Sequence, residues 1–214
     1  MKFLENKQFN NITFHCIFIL SVYAILFFIR LPILVNAEVF LTSDEAFMAN
    51  DMANLFEGGQ FHFYHENVSY QGIFHSLIAI PFFWLFGISS FAFKLPSILY
   101  YTLYIWTFFL LTMRINRKFA WISVALLVLC PPGILDVTVN NYPHTLIACL
   151  GNIAFLIYLS HRDNPTYRKI FYITFIMGFS LYVYTLSAIY SAVIIFLWIM
   201  DSKTFVRNVF EQLK

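Results

Sequence analysis

Two adjacent carboxylates stand at the predicted start of a helix in the first long polar stretch of the sequence. Thr42 is followed three residues later by Glu45, a spacing typical of a capping box, so Asp44 and Glu45 are expected in the first turn. A carboxylate presented there can accept a proton from a reacting group. It can also do no more than stabilise the helix dipole, by roughly 0.3–1 kcal/mol for each acid. The local sequence leaves both interpretations open.

The helix that these residues begin is predicted to be amphipathic. Met48 and Met52 fall on one side, whereas Asp44 and Asp51 fall on another. That pattern is typical of a helix that lies on a membrane surface with its carboxylates toward water. A run rich in aromatic residues and histidine follows as far as Gln71.

The composition is that of a membrane protein. Of the 214 residues, 60% are hydrophobic and only 11% are charged, far from the average of soluble proteins. The last apolar run is too long for one span and is predicted to turn near Thr185–Ser187. The sequence thus predicts an all-α, polytopic transmembrane helical bundle, with residues 1–214 as a single integral membrane domain and spans near residues 12–35, 93–113, 119–135, 145–160, 170–184 and 187–200.

One short apolar segment decides the predicted topology. Ile73–Gly87 is too short for a comfortable span and contains Pro81. If it enters the outer face and returns, eleven of the thirteen Lys and Arg residues lie inside, and only Arg30 and Lys94 lie outside. We therefore expect a large outer loop, residues 36–92, that carries the amphipathic juxtamembrane helix and a re-entrant helix.

The acidic residues and histidines gather on the opposite side from the bases. Seven of the eleven acids are predicted to lie outside: Glu38, Asp44, Glu45, Asp51, Glu57, Glu66 and Asp136. Four of the six histidines join them: His62, His65, His75 and His144. Any chemistry is therefore expected at the outer membrane interface.

Neither a disulfide framework nor a metal site is predicted. The three cysteines lie in apolar runs without paired spacing: Cys16, Cys130 and Cys149. His62 and His65 lie three residues apart near Glu66, but no third ligand is in register with them. We expect no metal and no other cofactor.

Several short motifs occur in an ordered series. An Asp-Glu pair opens the outer helix at Ser43–Ala46, the predicted re-entrant segment ends at Phe86–Ser89, and Phe91–Ser97 leads into a span through Leu-Pro-Ser. Leu129–Pro132 closes the third span. This order resembles the GT-C glycosyltransferases, which include the protein O-mannosyltransferases and the aminoarabinose and lipopolysaccharide sugar transferases. The resemblance covers only the N-terminal portion of a typical member, so a fragment or a reduced relative is expected.

The resemblance implies transfer of a sugar from a polyprenyl-phosphate donor to a lipid or protein acceptor. The reaction would take place at the outer face of a membrane, the bacterial plasma membrane. In that chemistry a carboxylate takes the acceptor proton while cationic groups stabilise the departing phosphate. Asp44 matches the family's catalytic acid, and Glu45 would orient it or contact the acceptor. Membrane lipids are expected partners, and nucleic acid is not.

Eight further residues are candidates for binding substrate or phosphate: His62, His65, Tyr70, Gln71, Lys94, Asp136, Tyr142 and His144. Lys94 stands where the family has arginine, which keeps the charge but loses the bidentate fork. A lysine that snorkels to the interface explains it equally well. Interfacial packing of aromatic residues is the competing interpretation of the loop residues. Asp136 stands alone where metal-dependent relatives have an Asp-x-Asp pair, so it is either a substrate contact or a polar span end.

A non-catalytic membrane protein, either a transporter or an assembly partner, is the competing function. A transporter places ionisable or helix-breaking residues in the middle of the membrane. The second to fourth predicted spans contain almost none. The acids gather at the outer surface instead, and this distribution favours the transferase.

Overall fold

The chain is helical throughout the part that the structure describes. This computed structural model describes residues 12–68, 70–163 and 166–212, of which 132, 133, 136, 163 and 202–212 are described by their backbone only. No β-strand occurs within these ranges. A 3-10 turn lies at Thr185–Ser187, and the α-helices are α1 (Ile12–Val35), α2 (Ser43–Phe56), α3 (Phe74–Leu77), α4 (Ile80–Phe86), α5 (Ser90–Met113), α6 (Arg117–Val128), α7 (Pro132–Val139), α8 (His144–Asp163), α9 (Tyr167–Val183) and α10 (Ala188–Gln212).

Three helices within the described ranges are long and apolar enough to cross a membrane. They are α1, α5 and α8. They correspond to the spans predicted near residues 12–35, 93–113 and 145–160. The predictions of an all-α chain and of membrane-spanning helices are confirmed at this level.

Two predicted apolar segments are divided rather than continuous. The segment near residues 119–135 consists of α6 and α7, of 12 and 8 residues, instead of one helix. Pro131 and Pro132 explain the break, because proline lacks a backbone N–H and disfavours helical geometry in the residue before it. Ile73–Gly87 likewise forms two short helices, α3 and α4. The second ends at Gly87, whose φ of 74° favours glycine.

Helix α5 is the centre of the structure, with α1, α4, α6, α7 and α8 in contact with it. Helix α1 turns one side toward α5, on which every fourth residue is buried: Phe18, Val22, Leu26, Arg30 and Leu34. Residues four apart lie above one another on a helix, so this spacing produces a single continuous contact face. At one end of it, the rings of Phe18 and Phe109 stack with their centroids 4.9 Å apart.

Helix α2 lies against the beginning of this bundle through its methionine side. Met48 and Met52 are fully buried and form one apolar cluster with Ile73, Phe83 and Phe93. These partners belong to the segment before α3, to α4 and to α5, so the helix that the two acids open is fixed against three parts of the chain. The packing determines which side of α2 faces outward.

The α1–α5 contact offers a matched pair of leucines. Leu26 is fully buried on the contact face, whereas Leu20, on the same helix, is 68% exposed. Leu26→Ala is expected to destabilise the protein by about 2 kcal/mol or more, because the cavity left behind loses van der Waals contacts. Leu20→Ala should change little. Thermal unfolding in detergent measures both, and equal melting temperatures for the two variants would contradict this packing.

Candidate functional site

The two acids at the start of α2 lie on different sides of the helix. Thr42 caps the helix in extended conformation, and its Oγ1 accepts a hydrogen bond of 3.3 Å from the Glu45 backbone N–H. This is the N-terminal half of the predicted capping box. Glu45 is fully buried, whereas Asp44 is exposed. The fold therefore gives two neighbouring carboxylates different environments.

Glu45 forms a buried ion pair with Lys94 on the first turns of α5. The Lys94 Nζ lies 2.5 Å from Glu45 Oε2, and both side chains are fully inaccessible to solvent. Lys94 also donates to Asn140 Oδ1 at 2.6 Å and to the Phe40 carbonyl at 3.2 Å. An ammonium has three N–H donors, so these acceptors match its hydrogen-bonding capacity. A buried pair is tolerated when its remaining polar atoms are satisfied in this way.

The carboxylate of Glu45 receives further hydrogen bonds from the backbone. The Asn141 N–H donates to Oε1 at 2.8 Å. Burial raises the pKa of Glu45 above its ordinary value, while the Lys94 ammonium and the backbone N–H groups of Asn141 and Thr42 act against that rise. All these donors favour the ionised carboxylate, so Glu45 is held as one half of a charge pair.

A single segment, Thr138–Tyr142, connects this ion pair to three helices. It covers the end of α7 and the turn before α8, and each of its residues contacts another element. Thr138 Oγ1 accepts a hydrogen bond from Arg30 Nη2 at 3.0 Å, and the Val139 carbonyl accepts one from Ser97 Oγ at 2.7 Å. Asn140 accepts from Lys94, and Asn141 donates to Glu45. The Tyr142 hydroxyl is hydrogen-bonded to Thr42 Oγ1. The segment thus joins α1, α5 and the start of α2.

A second polar network lies on the other side of α2. His65 Nδ1 is 2.7 Å from Asp51 Oδ2, and His65 Nε2 is 3.1 Å from the Ser76 hydroxyl. This order of acid, imidazole and hydroxyl resembles a nucleophilic triad. Ser76 is fully buried, however, and also contacts His75 Nε2 at 3.1 Å, so no substrate reaches its hydroxyl in this conformation. The network is better suited to holding the loop.

Burial favours the neutral form of both imidazoles of this network. It lowers the pKa of His65, although the neighbouring Asp51 carboxylate acts to raise it. For His75 the burial is complete and lowers the pKa to about 3, with His65 lowering it further. Neutral imidazoles can both donate and accept hydrogen bonds, as a chain through Ser76 requires.

A cavity of about 530 Å³ opens beside the same network. It lies between the end of α2 and the following loop, and its polar groups come from Asp51, Asn54, Glu57, Gln60, His62, Tyr64 and Glu66. His62 Nε2 and Glu66 Oε1 are 3.4 Å apart on its exposed rim. Carboxylates and amides hydrogen-bond hydroxyl and amine groups, so the lining suits a polyhydroxylated or amine-bearing ligand. No group of three or more metal-ligating side chains occurs among the described residues.

Four aromatic rings form a row beside the Thr138–Tyr142 segment. The ring centroids are 5.7 Å apart from Tyr142 to His144, 5.2 Å from His144 to Tyr184, and 5.8 Å from Tyr184 to Tyr70. Gln71 pairs with Tyr184 through an isolated β-bridge and is 3% exposed. The row begins at Tyr142, whose hydroxyl is hydrogen-bonded to Thr42, the capping residue two positions before the exposed Asp44.

The structure brings most of the ten predicted site residues into three groups. The first group is the Glu45–Lys94 pair, with Asp44 next to Glu45 in the sequence. The second is the aromatic row, which contains Tyr70, Tyr142 and His144 and has Gln71 buried next to it. The third is the cavity with the neighbouring polar network, which contains His62 and His65. The backbone of Asp136 belongs to α7, and its side chain lies outside the described part. Asp44 and the cavity residue Asp51 are two helical turns apart, roughly 10 Å.

Four residues of the site were not predicted: Arg30, Asn140, Asn141 and Asp51 as the partner of His65. Arg30 had a usable signal, because a cation within an apolar span marks a functional position by default. Asn140 and Asn141 had none, since an Asn-Asn pair before a helix is an ordinary turn sequence. Their roles depend on contacts with residues 46 and 96 positions earlier in the chain.

No family model matches this chain, and neither a curated protein nor a solved structure matches it.

The buried ion pair makes a specific prediction about stability. Lys94→Met removes the ammonium and leaves the Glu45 carboxylate buried without its counter-charge, which is expected to cost about 3–5 kcal/mol. The double variant Glu45→Gln/Lys94→Met removes both charges and should recover most of that loss. Lys118→Met, at an exposed lysine of α6, serves as the control. Unfolding in detergent measures all three, and wild-type stability of Lys94→Met would refute the pairing.

Proposed function

We propose that this chain carries the site of a polytopic membrane glycosyltransferase of GT-C type. It would move a sugar from a polyprenyl-phosphate donor to a hydroxyl or amine of a lipid or protein acceptor, at the outer face of the bacterial plasma membrane. The observation that carries the proposal is the exposed carboxylate of Asp44 on a helix start that the buried Glu45–Lys94 pair fixes in place. The order of motifs along the sequence supports the same family.

The chemistry proposed for Asp44 is general-base catalysis of an inverting displacement. The acceptor oxygen or nitrogen attacks the anomeric carbon, and the bond from that carbon to the phosphate oxygen breaks. The phosphate leaves with the bonding electron pair, and the acceptor proton passes to Asp44. The carboxylate needs access to the acceptor for this step, which its exposure provides.

Glu45 and Lys94 act as positioning residues in this proposal. The carboxylate of Glu45 already accepts from Lys94 and from the Asn141 N–H, so it is not placed to take a substrate proton. The ammonium of Lys94 is surrounded by three protein acceptors. We therefore assign Lys94 to holding α2 on α5, and not to the phosphate contact that its sequence position suggested.

Aromatic and carboxylate groups near the two ends of α2 supply binding surfaces for the sugar and the acceptor. The row from Tyr142 to Tyr70 begins beside Thr42, and its ring faces suit the C–H faces of a sugar. The acid-lined cavity at the other end of α2 suits the hydroxyl or amine groups of an acceptor. Both surfaces lie on the same side of the bundle as the helix start.

The proposed topology places this end of the bundle outside the cell. Arg30 near the end of α1 and Lys94 near the start of α5 both contact the Thr138–Tyr142 segment. These two helix termini and the end of α7 are therefore at one end, while the basic residues 114–118 lie at the opposite end of α5. The proposed re-entrant segment, α3 and α4, returns to the outer end. We propose that α6 and α7 cross the membrane together as one broken helix.

Accessibility labelling tests the topology. In a cysteine-free background, Gln60→Cys in the first loop is expected to react with a membrane-impermeant maleimide in intact cells. Ile115→Cys, between α5 and α6, should react only after permeabilisation, because it lies beside the basic residues that the positive-inside rule retains. Both positions are exposed, so burial does not explain a difference. Labelling of Ile115→Cys from outside would reverse the orientation.

Replacement of the proposed base tests the mechanism. Asp44→Asn keeps the size of the side chain but cannot take a proton, so transfer is expected to fall by about 10²–10⁴-fold. Thr42 and not Asp44 caps α2, so stability should be retained. The measurement is transfer of radiolabelled sugar from mannosyl or aminoarabinosyl polyprenyl phosphate in membranes. Glu38→Gln, at another exposed acid of the same loop, is the control and should remain active. Undiminished transfer by Asp44→Asn excludes it as the base.

A further inference from the structure

Arg30 is a buried cation whose hydrogen-bonding capacity is incompletely used. Its side chain has no exposed surface, and its Nη1 has no hydrogen-bond partner among the residues that the structure describes. No carboxylate among the described side chains lies within ion-pair distance of the guanidinium. An arginine buried in an apolar helix is costly unless its charge is compensated. This arginine therefore lacks an anionic partner.

The groups that do surround Arg30 are neutral, and on one edge of the guanidinium they leave the N–H donors incompletely used. Thr138 Oγ1 accepts from Nε at 3.2 Å and from Nη2 at 3.0 Å. The Tyr101 ring lies under the guanidinium, with its centroid 5.1 Å from Cζ. On the remaining edge, Nη2 has only the Cys130 thiol at 3.5 Å, which is a weak acceptor. Nη1 and Nη2 are the pair of donors with which arginine binds a phosphate in bidentate fashion.

An apolar groove leads toward the same place. It has a volume of about 520 Å³ and lies between α1 and α6, where Phe14, Phe18, Val22, Trp121, Ala125 and Leu129 contribute to its walls. On α1, Val22 belongs to the buried stripe that continues to Arg30, roughly 12 Å farther along the helix. On α6, Leu129 is followed directly by Cys130, the residue that contacts Arg30. The groove and the cation are therefore adjacent along both helices.

We propose that this groove and Arg30 together bind a polyprenyl monophosphate, with the hydrocarbon chain between α1 and α6 and the phosphate on Arg30. The proposal rests on the proposed function, because a polyprenyl-phosphate sugar is the donor of that reaction. It moves the phosphate contact from Lys94, whose ammonium is saturated, to a guanidinium whose Nη1 is not. A phosphate oxygen would replace the Cys130 thiol at Nη2 and supply a partner for Nη1.

The position of Arg30 agrees with such a lipid. In the proposed topology Arg30 lies near the outer end of α1, and the groove lies farther inward, from Ile25 to Phe14 on the same helix. A lipid phosphate would then lie at the outer interface with its chain in the apolar interior. Thr138, which holds the guanidinium, is the first residue of the segment whose last residue, Tyr142, contacts Thr42 beside Asp44. In this proposal, a single segment of the chain therefore contacts both the residue that binds the leaving phosphate and the helix start that carries the base.

Binding of radiolabelled farnesyl phosphate to the full chain in nanodiscs tests the site. Arg30→Gln keeps a hydrogen-bonding side chain without the charge and is expected to weaken farnesyl phosphate binding at least tenfold, with farnesol binding unchanged. Ala125→Phe fills the groove and should weaken both ligands. Leu126→Phe, on the adjacent outward-facing position of α6, and Arg162→Gln, at an exposed arginine, should bind both as the wild type does.

Further competition measurements distinguish a polyprenyl phosphate from other phosphate ligands, and a second variant replaces Arg30→Gln if that variant does not fold. Inorganic phosphate, which lacks a chain, and phosphatidic acid, which carries two acyl chains, should each compete weakly against farnesyl phosphate. Equal competition by phosphatidic acid would overturn the assignment to a polyprenyl lipid, and unchanged binding by Arg30→Gln would overturn the site. If Arg30→Gln does not fold, Arg30→Lys keeps the charge but loses the fork. Its farnesyl phosphate affinity should then fall while its farnesol affinity does not.

The same assay distinguishes failure of this site from failure of the proposed function. Asp44→Asn should bind farnesyl phosphate with wild-type affinity, because the base does not contact the donor phosphate in this arrangement. Arg30-dependent binding together with undiminished transfer by Asp44→Asn would overturn the proposed base and leave the lipid site intact. Transfer that requires Asp44, without Arg30-dependent binding, would overturn the lipid site alone.

Discussion

The buried Glu45–Lys94 pair is the interaction on which the arrangement around the start of α2 depends. Two charges that are both inaccessible to solvent must be close together and fully hydrogen-bonded, since each alone would cost several kcal/mol. That requirement brings the start of α2 against the first turns of α5. Asn140 and Asn141 also contact the pair, because the ammonium protons and carboxylate lone pairs that Lys94 and Glu45 do not use with each other need hydrogen-bond partners. The exposed position of Asp44 follows, since the residue before a fixed, inward-facing Glu45 on a helix points about 100° away from it.

The Thr138–Tyr142 segment connects the buried ion pair to the other helices around it. A segment that contacts Arg30, Ser97, Lys94, Glu45 and Thr42 at successive positions has little freedom to move independently of any of them. Pro131 and Pro132 contribute by ending α6 early, so that the short helix α7 approaches the other elements at its own angle. The break that prevents a continuous span near residues 119–135 is therefore also what allows the segment to meet α1 and α2.

The sequence predicted the features that depend on local residue patterns. Hydrophobic length predicted α1, α5 and α8, and the Thr42–Glu45 spacing predicted the start of α2 where the structure has it. The single span near residues 119–135 was expected from its apolar length, with the prolines of Leu129–Pro132 assigned to its end. The exposure of Asp44 and the burial of Glu45 could not be predicted from the neighbouring residues, since the partners of Glu45 lie 49 and 96 positions away in the sequence. Propensity determines that a helix begins there, but only tertiary packing determines which acid is buried.

The two buried cations Arg30 and Lys94 show that burial alone does not define the role of a charged side chain. Both side chains are fully buried, and both are held by the Thr138–Tyr142 segment. Lys94 has a carboxylate and two further acceptors for its three donors, so its charge is used inside the protein. Arg30 has an aromatic face, a hydroxyl and a thiol, none of which carries a full negative charge, and its Nη1 has no hydrogen-bond partner within the described part of the chain. A saturated charge stabilises structure, whereas an unsaturated one retains the capacity to bind an anion. On the basis of the hydrogen-bonding state of each cation, and not of its position in a motif, we propose that Lys94 stabilises the structure and that Arg30 binds the ligand.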